Sequence, residues 1–172
     1  MRRTLVVAFL AAMALVGASS AALAETNTPQ PLSATLIFTG IPGQVPGTAV
    51  FSGAVNAVCT ETGTVTRLPD QRAQVVDRFD CPQGTIFNTA SVTSTFTLDP
   101  ATCVGRQPQS GPFQFTGGTG QFAGITGSGT FTGEGFIIFR RTAEGTCDPS
   151  QPPLLVLVLL RFTGTASVPG TA

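Results

Sequence analysis

"FQFTGGTGQFAGITGSGTFTGEG", Phe113 to Gly135, is the stretch on which the fold turns. Eight of its 23 residues are glycine, yet Phe115, Phe122 and Phe131 recur among them with a regularity that filler does not need. Four readings compete for it: a phosphate-cradling loop, a metal-binding repeat, a flexible linker and a corner between strands.

The first three fail on chemistry. Gly118-Thr119-Gly120-Gln121-Phe122-Ala123 has the GxGxxA spacing of a dinucleotide loop. Such a loop must open a helix, and Gly124 to Gly135 is too rich in Gly and Thr to be one. Gly117 to Phe122 also has the spacing of a calcium-binding nonapeptide, but Phe122 stands where the ligand Asp is required. A linker would leave Phe122, Ile125 and Phe131 in water, forfeiting roughly 1.5–3 kcal/mol each. A corner remains: a strand through Phe113–Thr116, a turn at Gly117-Gly118, Phe122 plugging the interior, and a new strand from about Gly127. Gly117, Gly118, Gly120, Gly124 and Gly127 then supply the backbone freedom of the corner and Phe122 its anchor.

Outward from this corner the chain reads as all-β, with Thr, Val, Phe and Ile segments punctuated by Gly and Pro. Strands are expected over 34–39, 48–59, 64–68, 74–80, 85–98, 112–116, 127–142 and 154–168. The longer ones must bend or carry a bulge. Phe-Ser/Thr-Gly recurs at Phe38, Phe51, Phe115, Phe131 and Phe162, placing the ring and the glycine on one face of a strand. Its irregular spacing is not that of a solenoid or propeller. Phe136–Phe139 and Leu154–Leu160 are apolar on both faces, so their second face needs cover from elsewhere in the chain or from a second subunit.

The N-terminus carries Arg2 and Arg3, an apolar run from Leu5 to Val16, and Ala22-Leu23-Ala24, the pattern of an export signal over residues 1–24. Residues 25–33 read as a flexible leader and 34–170 as a single domain. Cleavage after Ala24 leaves seven arginines against nine acids, a net charge of −2. No later apolar run reaches the roughly 18 residues of a membrane-spanning helix. With no lysine and no basic stripe, nucleic acid is excluded as a partner. The address expected is secreted or periplasmic.

Four cysteines in an exported chain favour two disulfides. Three pairings are possible; Cys59–Cys81 and Cys103–Cys147 are favoured because each closes a segment of a few tens of residues. A zinc site is disfavoured by the lack of any CxxC pair or histidine. No metal and no cofactor are expected.

The catalytic inventory is thin. Without histidine there is no ordinary Ser-His or Cys-His pair, and no Gly-x-Ser-x-Gly elbow occurs. Acid–base work would fall to Asp70, Asp77, Asp80, Asp99, Glu134, Glu144 and Asp148. Asp77 and Asp80, three apart on a strand, face opposite sides and do not make a glycosidase pair. The charges that adjoin apolar strands are Glu134, Arg140 and Arg161. Arg161 shares a face with Leu155, Leu157 and Leu159, and Arg140 with Phe136 and Ile138. If those faces line an interior, the three present polar handles to a ligand; otherwise they sit at strand ends and reach solvent.

"GGTGQFAGITGSGTF" resembles the Gly-Gly-Thr-Gly-x-Phe-x-Gly-x-x-Gly phrase of the allene oxide cyclase-like barrels, which include dirigent proteins. The resemblance spans about 15 residues and looks closest to exported bacterial proteins with that phrase. It implies a single antiparallel β-barrel of about eight strands with a hydrophobic central cavity, often assembled as a homo-oligomer. It carries no catalytic position across. The leading expectation is a non-catalytic barrel that binds a hydrophobic small molecule. The alternatives are a cyclase- or dirigent-like enzyme steering a reactive intermediate, and a structural or surface protein without a ligand.

Overall fold

The computed structural model describes residues 28–170, so the expected export segment at 1–24 lies outside the described residues. Eight long strands form one antiparallel barrel: β1 (Gln30–Phe38), β2 (Gly47–Gly53), β3 (Ala57–Arg67), β4 (Arg72–Cys81), β5 (Gly84–Ser94), β7 (Val104–Gly118), β8 (Thr126–Ile138) and β11 (Leu155–Ser167). Going round the wall, β1 to β5 follow in order and then come β7, β8 and β11. β11 returns to β1, and pairing of β5 with β7 closes the circle. Closure removes the free edges that an eight-stranded open sheet would expose. Three short pieces decorate one end: β6 (Thr97–Asp99) on β7, and the pair β9 (Arg140–Arg141) and β10 (Cys147–Asp148).

Alternation fixes the inside. Along β1, Leu32, Ala34, Leu36 and Phe38 are buried. Along β11 it is Val156, Val158, Leu160 and Phe162. β1 begins at Gln30 rather than at Ala34, because Leu32 is already a core residue paired across to Gly164 and Gly53. The expected strand 48–59 is instead the hairpin β2–β3. Asn56 breaks it by accepting from the Gly53 N–H (3.3 Å) and donating to the Gly53 carbonyl (2.8 Å). Segment 64–68 is the end of β3, and segment 112–116 is the last part of the 15-residue β7. Pro108 and Pro112 hid the rest of β7, yet both sit at exposed outward positions.

The glycine-rich corner joins β7 to β8 through one 3-10 turn, Gly120–Phe122. Gly120 has φ +60°, and a Cβ there would lie 2.4 Å from the Gln83 carbonyl oxygen, so only glycine fits. The turn is tied to the β4–β5 connection by Gln121 N–H to Gln83 O (3.0 Å) and Thr119 N–H to Thr85 O (2.8 Å). Phe122 and Ile125 are buried and, with Val55 and Val168, cap this end of the barrel.

Two disulfides pair Cys59 with Cys81 and Cys103 with Cys147. The first staples β3 to β4 near the capped end. The second ties the start of β7 to β10 at the opposite end. Among the described residues no helix is long and apolar enough to cross a membrane. The outer face of β11 is only partly covered within the described chain: Leu155 and Leu159 remain 45% and 38% exposed.

Candidate functional site

The two halves of the barrel interior differ in what fills them. Toward the capped end, inward positions carry Phe51, Phe79, Phe113, Phe115 and Phe162, whose rings meet at centroid separations of 5.2 to 5.5 Å. Toward the other end β3, β4, β5 and β8 present Gly63, Ala73, Val75, Ala90, Val92 and Gly135. Small side chains on a wall of fixed circumference leave a void. The result is an open cavity of about 720 Å³. Its rim is built by the connections that end there and carries Ile41, Pro42, Leu68, Phe96, Phe139 and Pro153. Arg67 and Arg72 also reach the mouth. Just inside the mouth, Gln107 donates to the Ser94 hydroxyl at 3.1 Å.

At the floor, where the Phe-packed half begins, lies a buried polar group on three neighbouring strands. Glu61 continues the inward row Cys59-Glu61-Gly63 of β3, Asp77 the row Val75-Asp77-Phe79 of β4, and Asn88 the row Ile86-Asn88-Ala90 of β5. Register brings them together, since Gly63 and Asn88 are both paired with Asp77 and Glu61 is paired with Gly47. Glu61, Asp77 and Asn88 are all buried.

Two glycines make room for the carboxyls. A Cβ on Gly63 would fall 2.7 Å from Glu61 Oε1 and 2.8 Å from Asp77 Oδ1, and one on Gly47 would fall 3.0 Å from Glu61 Oε2. The space over Gly63, on the cavity side, is therefore bounded by both acids. Asn88 Nδ2 donates to Asp77 Oδ2 at 2.8 Å. Glu61 Oε2 and Asn88 Oδ1 have no well-formed hydrogen-bond partner.

Electrostatics follows from this geometry. Burial, then the charge of Asp77 and the hydrogen bond to it, push Glu61 up to about 8, while the Gly47 N–H pulls the other way. Burial also raises Asp77, against the lowering pull of hydrogen bonds from Asn88 and Glu61. Both acids are thus held above the ordinary carboxylate range, and they titrate together as a pair. Surface carboxyls move the opposite way: Asp80 is lowered by Arg78 and Thr85, and Asp99 by Thr102 and Ala101.

The charges singled out by sequence lie elsewhere. Glu134 is on the outer face of β8, paired with Arg106 at 3.3 Å, and the Arg106 guanidinium sits 5.3 Å above the Phe136 ring. Arg140 is exposed in β9, and Arg161 is exposed on the outer face of β11 opposite Thr35 and Thr132. The three do not converge, and none lines the cavity. Gly117, Gly118, Gly120, Phe122, Gly124 and Gly127 occupy the corner. Of the acids weighed from sequence, Asp77 alone reaches the floor; Asp80 points outward to Arg78 at 2.9 Å. Glu61 was absent from that inventory, although its alternation with Cys59 was the signal that would have placed it inside.

Among the described residues no group of three or more His, Cys, Asp or Glu is arranged to hold a metal ion. Comparison of the chain with protein-family models, curated proteins and solved structures finds no match.

Proposed function

We propose that this chain is an exported, disulfide-bonded barrel that takes a hydrophobic small molecule through its open end, without catalysis. The observation that carries the reading is the cavity of about 720 Å³, within the range of small-molecule pockets and walled mainly by apolar side chains. Two disulfides and the N-terminal export pattern support a secreted or periplasmic address. The shared glycine phrase supports kinship with the allene oxide cyclase-like and dirigent-like barrels. A purely structural barrel calls for a filled interior, and the hollow half weighs against it.

Native mass spectrometry tests this on chain purified from an exporting host without detergent. A retained lipophilic mass, or uptake of one from a lipid extract, is expected. Protein that stays bare through both treatments would overturn the proposal.

One observation favours the cyclase- or dirigent-like alternative. Glu61 keeps its proton near neutral pH at the floor of an apolar cavity, which is what a general acid toward a bound substrate needs. Conversion of a trapped ligand by the wild-type chain and not by Glu61→Gln would separate this enzyme from a pure binder.

A further inference from the structure

We propose that the cavity floor is a site for an organic cation, an apolar amine bound with its ammonium group over Gly63 between Glu61 and Asp77. This rests on the ligand-binding reading and names the chemistry of the ligand's polar end.

The floor has acceptors in surplus and too few donors. Asn88, which lines a small space in the Phe-packed half beneath the cavity, has committed its NH2 group to Asp77 Oδ2, leaving its own Oδ1 without a well-formed hydrogen bond. Glu61 Oε2, on the Gly47 side of the carboxyl, likewise makes no well-formed hydrogen bond, although the Gly47 N–H pulls on that carboxyl, in a residue only 2% exposed. Up the wall, Gln107 is joined to Ser94, and the Gln109 amide lies beside Gly135 on β8. Among the described residues, the two ion pairs, Arg78 with Asp80 and Arg106 with Glu134, both lie away from the floor. A buried carboxylate without a countercharge is costly, and a ligand that brings one relieves that cost.

An ammonium group supplies a positive charge and three donors at once. A hydroxyl brings a single donor and no charge, and a carboxylate would add a third acid to the floor. Two acids with one amide are too few oxygens for a bare divalent cation, which takes about six or more. Above the floor the wall is Leu36, Val75, Val158 and Leu160, which suits a hydrocarbon tail. Gly63 and Gly47 leave the two carboxyls room to sit, where a Cβ at either position would crowd them.

Titration calorimetry of the disulfide-bonded chain at about pH 7 with decylamine, decanol and decanoate decides the matter. These probes share one tail and differ only in the headgroup. Decylamine is expected to bind roughly 10- to 100-fold more tightly than decanol, the worth of a charged buried hydrogen bond, with decanoate weakest. The Glu61→Gln/Asp77→Asn double variant should lose that preference while holding decanol as before, which also shows that it folds. Asp77→Asn alone is the milder variant and should narrow the gap in the same direction. Equal binding of decylamine and decanol to the wild-type chain would overturn the proposal, with water as the donor at the floor, and leave the cavity reading intact. Binding of none of the three would overturn both.

Discussion

The capped and open halves of this barrel are built from the same eight strands and differ in the volume of the side chains turned inward. In the capped half, Phe113 touches Phe115 and Phe162 at ring separations of 5.5 and 5.3 Å, and short connections close the end. In the open half, Gly63, Ala73, Ala90 and Gly135 stop short of the axis. Strand number sets the circumference in both. Filling one half concentrates stability there, and the other half is free to be hollow.

The largest effect should come from attacking the filled half. Phe113→Ala is expected to cost about 3–5 kcal/mol, as removal of a buried ring from a packed core does, measured by urea unfolding. Val92→Ala on the cavity wall should cost less, about 1 kcal/mol, because Val92 is only partly buried against the core and its other side already faces a void. Equal costs would mean that the two halves are not energetically distinct.

The disulfides sharpen the same contrast. Removing Cys59–Cys81 by double alanine substitution should cost about 2–4 kcal/mol and leave probe binding unchanged, since the bridge lies near the capped end. Cys103–Cys147 spans 44 residues against 22, a difference worth only about 0.6 kcal/mol in chain entropy. Its removal should in addition loosen the rim, where Phe139 N–H bonds the Cys103 carbonyl at 3.0 Å. Fluorescent-probe titration of the two double variants checks this. A bridge at the capped end that altered binding as much would break the division of labour.

How much of this was legible in the sequence depended on whether a segment carried a signed pattern. The corner was legible because glycine spacing and Phe122 admit one physical solution. The closed barrel came into view through the same phrase, and both disulfide pairings through loop length. The strand end at Gly53 was missed because its breaker is a side-chain bond from Asn56, three residues on, inside an otherwise β-prone run. The faces of β11 could be sorted by alternation but not assigned, since Leu155, Leu157 and Leu159 are as apolar as Val156, Val158 and Leu160. Arg161 therefore had no readable direction, and it points outward. The carboxyl floor stayed hidden for another reason: Glu61 and Asp77 are 16 positions apart, and only the β3–β4 register sets them side by side.

Next in size is an effect at the boundary between the halves. Glu61 has its value raised from 4.5 to about 8 in the folded chain. Between these limits the native state holds a proton that the unfolded state releases. That contribution to stability is complete below about pH 4.5 and is lost as pH rises through about 8. Asp77, also raised by burial and facing Glu61 from β4, acts in the same direction. Urea midpoints are expected to fall with rising pH by an amount on the order of 2 kcal/mol, the two acids titrating as a pair. Glu61→Gln should flatten the profile. A Glu61→Gln profile as steep as the wild type would place the titrating group elsewhere.

The smallest expected effect on stability carries the most weight for the open half. Val92→Phe introduces into the hollow wall the kind of side chain that fills the capped half. In a packed core such an enlargement strains its neighbours by typically 1–3 kcal/mol. Here the ring has a cavity of about 720 Å³ to enter, so the urea midpoint should move by less than about 1 kcal/mol. Binding should respond in the opposite proportion, because the ring would stand in the path between the rim and the carboxyl floor. Decanol titration of Val92→Phe is expected to show at least about a tenfold loss of affinity. A variant that binds as well as wild type would place the ligand on the exposed apolar outer wall, at Leu155 and Leu159, and the cavity would then be an unfilled space with no ligand of its own.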